Sequence, residues 1–238
     1  MRLGALAQEF RQFRLGTATR LSCSRIVQRL ADRLAIPSYS QTGEDRIIAA
    51  LLPVPTGFYV DVGSNDPVRY SNTFALYRRG WRGIVVDANP ALIRRHRAVR
   101  PRDVAVHAVV SETSRSAVFT EFDDPLVSSL DASHVETWST QRRVVQRHAV
   151  TTEPLTAILD RHGAPPAFEV LSVDVEGHDR EVVASLDLRR YRPRLIVVEM
   201  HAFSLERTAQ HPVVAHLAGH GYDLVAYAVA NGYFLERA

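Results

Sequence analysis

The sequence contains no lysine: all 29 of its basic residues are arginine. A genome that favours arginine codons accounts for this most simply, although a guanidinium fork also suits the oxygens of acidic or phosphorylated substrates. Cysteine is almost absent as well. The single Cys23 excludes an internal disulfide and any cysteine-rich zinc cluster, in keeping with a reducing compartment. No apolar run approaches the length needed to span a bilayer. Near the start, Gln8, Glu9, Arg11 and Arg14 interrupt the apolar stretch that a signal peptide requires, so a cytoplasmic protein is expected. Disorder is excluded by a 46% content of hydrophobic residues, enough to bury a sizeable core.

What is present divides the 238 residues into a short appendage and one large domain. Residues 1–36 carry Arg2, Arg11, Arg14, Arg20, Arg25, Arg29 and Arg33 against only Glu9 and Asp32. Leu21, Ile26, Leu30 and Leu34 recur there at roughly helical spacing, which predicts a basic amphipathic extension. Such a helix can touch a membrane surface or a partner, or pack on the domain's own edge.

From residue 37 a Rossmann-like rhythm is predicted. Thr42 and Asp45 approximate a capping box at the start of a helix. Phe58 to Val62, Gly83 to Asp87 and Val104 to Val110 read as strands, separated by helices from Ser71 to Tyr77 and from Ala91 to Val99. Residues 115–150 break the rhythm, with Ala117-Val118-Phe119 and Val144-Val145 as candidate extra strands and Asp131 to Arg143 polar between them, and read as an insertion of the kind that carries substrate recognition. It resumes with a helix from Leu155 to Arg161 and a strand from Phe168 to Asp174. A helix from His178 to Leu186, a strand from Leu195 to Glu199 and a helix from Pro212 to Gly219 follow. Asn231-Gly232 signals a hairpin turn between Tyr222–Val229 and Tyr233–Leu235. A mostly parallel, seven-stranded sheet ending in an antiparallel hairpin is the outline of a class I methyltransferase fold.

Polar residues cluster at the predicted strand ends, where open α/β sheets bind ligands. Asp61, Gly63, Ser64 and Asn65 follow the first strand; Gly63 permits a tight turn, and Asn65 tolerates the left-handed conformation. Only one glycine of a G-x-G-type loop is present, which disfavours a pyrophosphate cradle. Asp87 ends the second strand, placed either to bind the two hydroxyls of a ribose or to cap the next helix. Asp174 and Glu176 follow a later apolar strand, and Glu199 and His201 repeat that spacing on the next. Carboxylates and imidazoles there suit a general base, or a divalent metal on Asp174 and Glu199. His134 and His148 flank the insertion. No aromatic-basic platform accompanies Arg94-Arg95-His96-Arg97, so nucleic acid is not expected as a partner.

Tyr39-Ser40-Gln41-Thr42-Gly43-Glu44-Asp45, the run from Gly57 to Pro67, Ser71-Asn72-Thr73, Gly80-Trp81-Arg82-Gly83 and Asp174-Val175-Glu176-Gly177-His178 occur in order. This set resembles the FkbM family of methyltransferases over roughly residues 38–200. The resemblance implies methyl transfer from S-adenosylmethionine to a hydroxyl of a glycan, glycolipid or polyketide-type acceptor. It places Asp61 and Gly63 to Asn65 at the methionine end of the cofactor, with Asn72 nearby. Asp87 and Ala88 would border the ribose and Val109 to Ser111 the adenine. Asp174, Glu176 and His178 would face the acceptor, with His201 as a further candidate base. Two other readings compete. A nicotinamide oxidoreductase lacks its glycine-rich loop here. A non-catalytic scaffold recruited through residues 1–36 would leave the strand-end acids without a role, yet Asp61, Asp87 and Asp174 are all intact.

Overall fold

The computed structural model describes residues 38–237, so the expected basic extension lies outside the described residues. Seven strands form one sheet in the order β3-β2-β1-β7-β8-β10-β9. These are β1 (Phe58–Val62), β2 (Arg82–Asp87), β3 (Val104–His107), β7 (Ala167–Val173), β8 (Arg192–Glu199), β9 (Tyr222–Ala228) and β10 (Asn231–Glu236). Only β10 runs against its neighbours. The central strands are apolar because both faces are covered. Val60, Val62, Ile84, Val86, Leu171 and Val173 face one core layer, whereas Tyr59, Val85, Val170, Leu195 and Val197 face the other. That is the period-two alternation of a pleated strand. The helices α1 (Glu44–Leu51) and α2 (Phe74–Arg78) put Ile48, Leu76 and Tyr77 into the second layer. The helices α5 (Leu155–Arg161), α6 (Asp179–Ala184) and α7 (Pro212–Gly219) fill the first layer with Ile158, Val182 and Leu217. α3 (Pro90–Val99) carries the chain from β2 to β3.

Strand order reverses between β1 and β7, since β2 and β3 lie to one side of β1 and β8 to the other. Such a switch point opens a crevice at the carboxyl ends of the strands.

Four local expectations are corrected. The third strand ends at His107; Val109–Val110 forms a separate strand, β4, pairing with β6 (Val144–Glu153) outside the main sheet. β5 (Ser116–Phe122) pairs antiparallel with β6, giving a second sheet of order β4-β6-β5. Between β5 and β6 lies α4 (Ala132–Ser139), where only polar chain was expected. Asp131 caps this helix, accepting the His134 N–H at 2.7 Å. Thr42 does not cap α1: Gly43 is the N-cap, and Glu44 instead reaches back to accept the Thr42 N–H at 2.9 Å. Asn231-Gly232 is not the hairpin turn either. The register pairs Asn231 with Ala228, so Val229 and Ala230 make the turn, and Val229 takes φ 57°. Gly232 instead leaves room for Met200, whose Cε would stand 2.4 Å from a Cβ at that position.

Among the described residues, no helix is long and apolar enough to cross a membrane.

Candidate functional site

The loop after β1 is built to lie close to both neighbouring strands. Gly63 has φ 80°, and a Cβ there would stand 1.7 Å from the Asp174 carbonyl oxygen. Only glycine lets this turn approach the end of β7. The Gly63 and Ser64 N–H groups donate to the Val86 carbonyl at 2.9 and 3.2 Å. Asn65 follows with φ 46°, donating its N–H to Asp87 Oδ2 at 2.8 Å. Its carbonyl faces the ring of the fully buried His96, 2.9 Å away. Burial and the Arg100 charge lower the His96 pKa to about 4, so the ring is neutral.

Asp87 also accepts the Asn89 N–H, at 2.7 Å. Asn89, not Asp87, caps α3 through the Ala91 N–H, which removes the capping alternative for Asp87. Burial pushes the Asp87 carboxyl up to about 6. Each of its oxygens accepts one backbone N–H, leaving lone pairs for hydroxyl donors. Gly63, Asn65, Asp87, Ala88 and Val109 all line one slot. Its apolar walls include Leu92, Ala108, Val110 and Phe119. An adenosine fits this donor and wall set: a carboxylate for the ribose diol and apolar faces for the base. S-adenosylmethionine would therefore be held by Asp87, by the Gly63–Asn65 backbone and by the apolar walls.

Several residues expected at the cofactor lie off this slot. Asp61 points to the same face as Tyr59, two residues before it, and is buried within β1. There Thr73 Oγ1 donates to Asp61 Oδ2 at 2.6 Å. Arg100, fully buried, donates to Thr73, to Tyr59 and to Asp103 at 2.9, 2.7 and 2.8 Å. Burial raises the Asp61 pKa, against the hydrogen bond from Thr73 and the Arg100 charge. Asn72 donates its side-chain amide to Ser172 Oγ at 3.1 Å, bracing β1's neighbour β7. Ser64 is buried, and its hydroxyl has no hydrogen-bond partner among the described residues. Ser111 Oγ stands 2.9 Å from His178 Nε2.

A second, broader cavity of about 1090 Å³ opens beside the slot. Gln41, Leu126 and Glu176 line both, so the two cavities adjoin across these side chains. Glu176 takes φ 55°, an uncommon conformation for a residue with a Cβ and one that recurs at functional sites. The insertion holds it there: Ser129 Oγ donates to the Glu176 carbonyl at 2.7 Å. Glu199, His201, His134 and Asp179 line the broad cavity. Asp174 and His178 line the slot instead, Asp174 on the β7 side. His178 thus lies on the slot rather than in the broad cavity.

The acids crowd one another. Burial and then Glu199, Glu176 and Asp179 push Asp174 well above the ordinary carboxylate range. Burial and Glu199 raise Glu176 to about 8 and Asp179 to about 7. The Glu199 carboxylate, 3.0 Å from its Nε2, lifts His201 to about 9. Asp179 was not singled out in the sequence. Its carboxylate accepts the Val175 and Gly177 N–H groups at 2.9 and 3.1 Å and folds the loop that aims Glu176. Gln41 also escaped notice, although its run of residues is part of the family resemblance. Of the two histidines flanking the insertion, His134 reaches the cavity, whereas His148 pairs with Glu121 at 2.8 Å on the second sheet.

No curated protein sequence matches the chain. Among solved structures it is similar to a TehB-like SAM-dependent methyltransferase from Corynebacterium glutamicum (12% identity, TM-score 0.41, covering 92% of this chain and 100% of that one). It is also similar to a putative O-methyltransferase from Klebsiella pneumoniae (13% identity, TM-score 0.44, covering 87% and 86%). The Methyltransferase FkbM domain model matches residues 61–224. That match runs from the acid of β1 into β9 and takes in both cavities' strand ends, and the chain belongs to the FkbM family of S-adenosylmethionine-dependent methyltransferases.

Proposed function

We propose that this enzyme methylates a hydroxyl oxygen of a glycan or polyketide-type acceptor seated in the broad cavity. The observation that carries this reading is the junction of the two cavities at Glu176: a narrow slot suited to adenosine meets a wide cavity rich in carboxylates and imidazoles. S-adenosylmethionine, when bound, supplies a methyl group already activated on a sulfonium. The protein's task is alignment, worth about 7–11 kcal/mol in favourable cases, and removal of one proton. Asp87 and the Gly63–Asn65 turn fix the cofactor's direction along the slot. Asp174, at the slot's β7 side, takes the proton that the acceptor hydroxyl loses as its oxygen bonds the methyl carbon. The electron pair of the broken bond remains on sulfur.

The test uses S-adenosylmethionine carrying a ¹³C-methyl group, incubated with oligosaccharide and polyketide acceptors and followed by NMR. A new O-methyl resonance is expected, and Asp174→Asn is expected to slow its appearance by about 10²–10⁴-fold while cofactor affinity changes only a few-fold. An N-methyl product, or undiminished turnover by Asp174→Asn, contradicts the proposal.

A further inference from the structure

His134 enters the broad cavity from the first turn of α4, within the insertion. Its side chain is 9% exposed, and its Nε2 has no hydrogen-bond partner. The nearest opposite charge, Glu176 Oε2, is 3.7 Å away, too far for a hydrogen bond. A buried nitrogen left unmatched in this way costs about 1–3 kcal/mol, and no group of the described protein relieves it. Across the cavity, His201 turns its Nε2 to within 3.0 Å of Glu199 Oε2, with its ring centroid 6.2 Å from that of His134. One ligand atom each from His134, Glu176 and His201 all lie within 4.8 Å of one another. The same holds for Asp179, Glu199 and His201, and for Asp174, Glu176 and Glu199.

We infer that His134, Glu176 and His201 form a binding site for one divalent transition-metal ion, with Glu199 adjoining it. Ligands about 2.0–2.1 Å from such an ion stand about 3–4 Å from each other, a spacing this cluster reaches with small side-chain adjustments. Two imidazoles and a carboxylate suit borderline ions such as Zn²⁺, Fe²⁺ or Co²⁺ better than Mg²⁺ or Ca²⁺, and three protein ligands leave positions open. The cluster also differs from a simple acidic patch because its two nitrogen donors come from different elements, α4 of the insertion and the segment after β8. The ion would tie α4 of the insertion to the end of β8, and Glu176 brings it to the boundary with the cofactor slot. Resting on the methyl-transfer reading, its open positions would take oxygens of a hydroxyl-bearing acceptor, next to the methyl donor.

The probe is Co²⁺ added to the full chain after chelator treatment, read by visible absorption, with S-adenosylmethionine affinity measured in parallel. One equivalent of Co²⁺ is expected to produce ligand-field bands typical of imidazole and carboxylate donors. His134→Ala and His201→Ala are each expected to weaken Co²⁺ binding at least tenfold and to alter those bands. Neither residue lines the cofactor slot, so both variants should bind S-adenosylmethionine like the wild type, which also establishes that they are folded. Wild-type protein that binds the cofactor but gives no Co²⁺ spectrum overturns the metal site and leaves the methyltransferase reading intact. Co²⁺ bands that survive in both variants overturn it equally. Metal binding without any O-methyl product would strike the acceptor reading alone.

Discussion

A side chain at position 63 would have to share space with the Asp174 carbonyl and adopt a left-handed backbone. Gly63→Ala is therefore expected to destabilise the protein by more than the ~1 kcal/mol typical of a left-handed alanine. It should also abolish S-adenosylmethionine binding, as thermal unfolding with and without cofactor would show. Arg100 carries a second residue-scale prediction. Among the described residues it is the only cation hydrogen-bonded within the buried Asp61–Thr73–Tyr59–Asp103 network, so Arg100→Met should cost about 3–5 kcal/mol in urea unfolding. Asp87 supplies a pH dependence. Its carboxyl is pushed up to about 6 by burial, above its unfolded value, so its contribution to stability is present below the unfolded pKa and is lost as pH rises through about 6. Ribose hydroxyls donate to the ionised form, so cofactor affinity runs the other way and should tighten as pH rises through about 6. Calorimetric titration across that range should show this slope in the wild type and lose it in Asp87→Asn. At this scale the acids were legible in the sequence, but their surroundings were not. Asp61 and Asp87 share one face of the sheet, since Asp61 pairs with Val85, yet Asp61 lies within β1 and is engaged by Thr73, whereas Asp87 ends β2 on the slot.

The hairpin shows how a local signal can be outweighed. Asn-Gly is a strong turn dipeptide, yet Asn231 is held within β10, donating its side-chain amide to Glu44 Oε1 at 3.1 Å. Gly232 makes room for Met200. The turn falls instead on Val229, exposed and β-branched at φ 57°. Relieving that conformation should make Val229→Gly more stable by about 1 kcal/mol, visible as a raised Tm with unchanged cofactor affinity. Most other elements were legible because apolar periodicity reports burial directly: the runs of β1, β2, β7 and β8 are short, continuous and bounded by polar residues. The break at Ala108 was not. Val104 to Val110 is apolar apart from His107, and only pairing with β6 (Val109 with Thr152, Val110 with Glu153) decides that its end leaves the main sheet. The helix α4 was hidden for a related reason. It buries no apolar residue, so no apolar stripe announced it.

For the molecule as a whole, the decisive feature is the reversal of strand order between β1 and β7, which sets the narrow slot beside the broad cavity. The alternation of strands and helices predicted such a crevice and the acids that end its strands. It did not predict the cavity's far wall. That wall comes from the insertion, whose Ser129 and His134 meet the Glu176 loop only through tertiary packing. The account's central claim is that the slot lined by Gly63, Asn65 and Asp87 receives S-adenosylmethionine. The most direct test is isothermal titration calorimetry of S-adenosylmethionine into the wild type and Asp87→Ala. One molecule bound per chain, with affinity reduced at least tenfold by Asp87→Ala, is the predicted result. Absence of binding by folded wild type, or equal affinity in the two proteins, would contradict it.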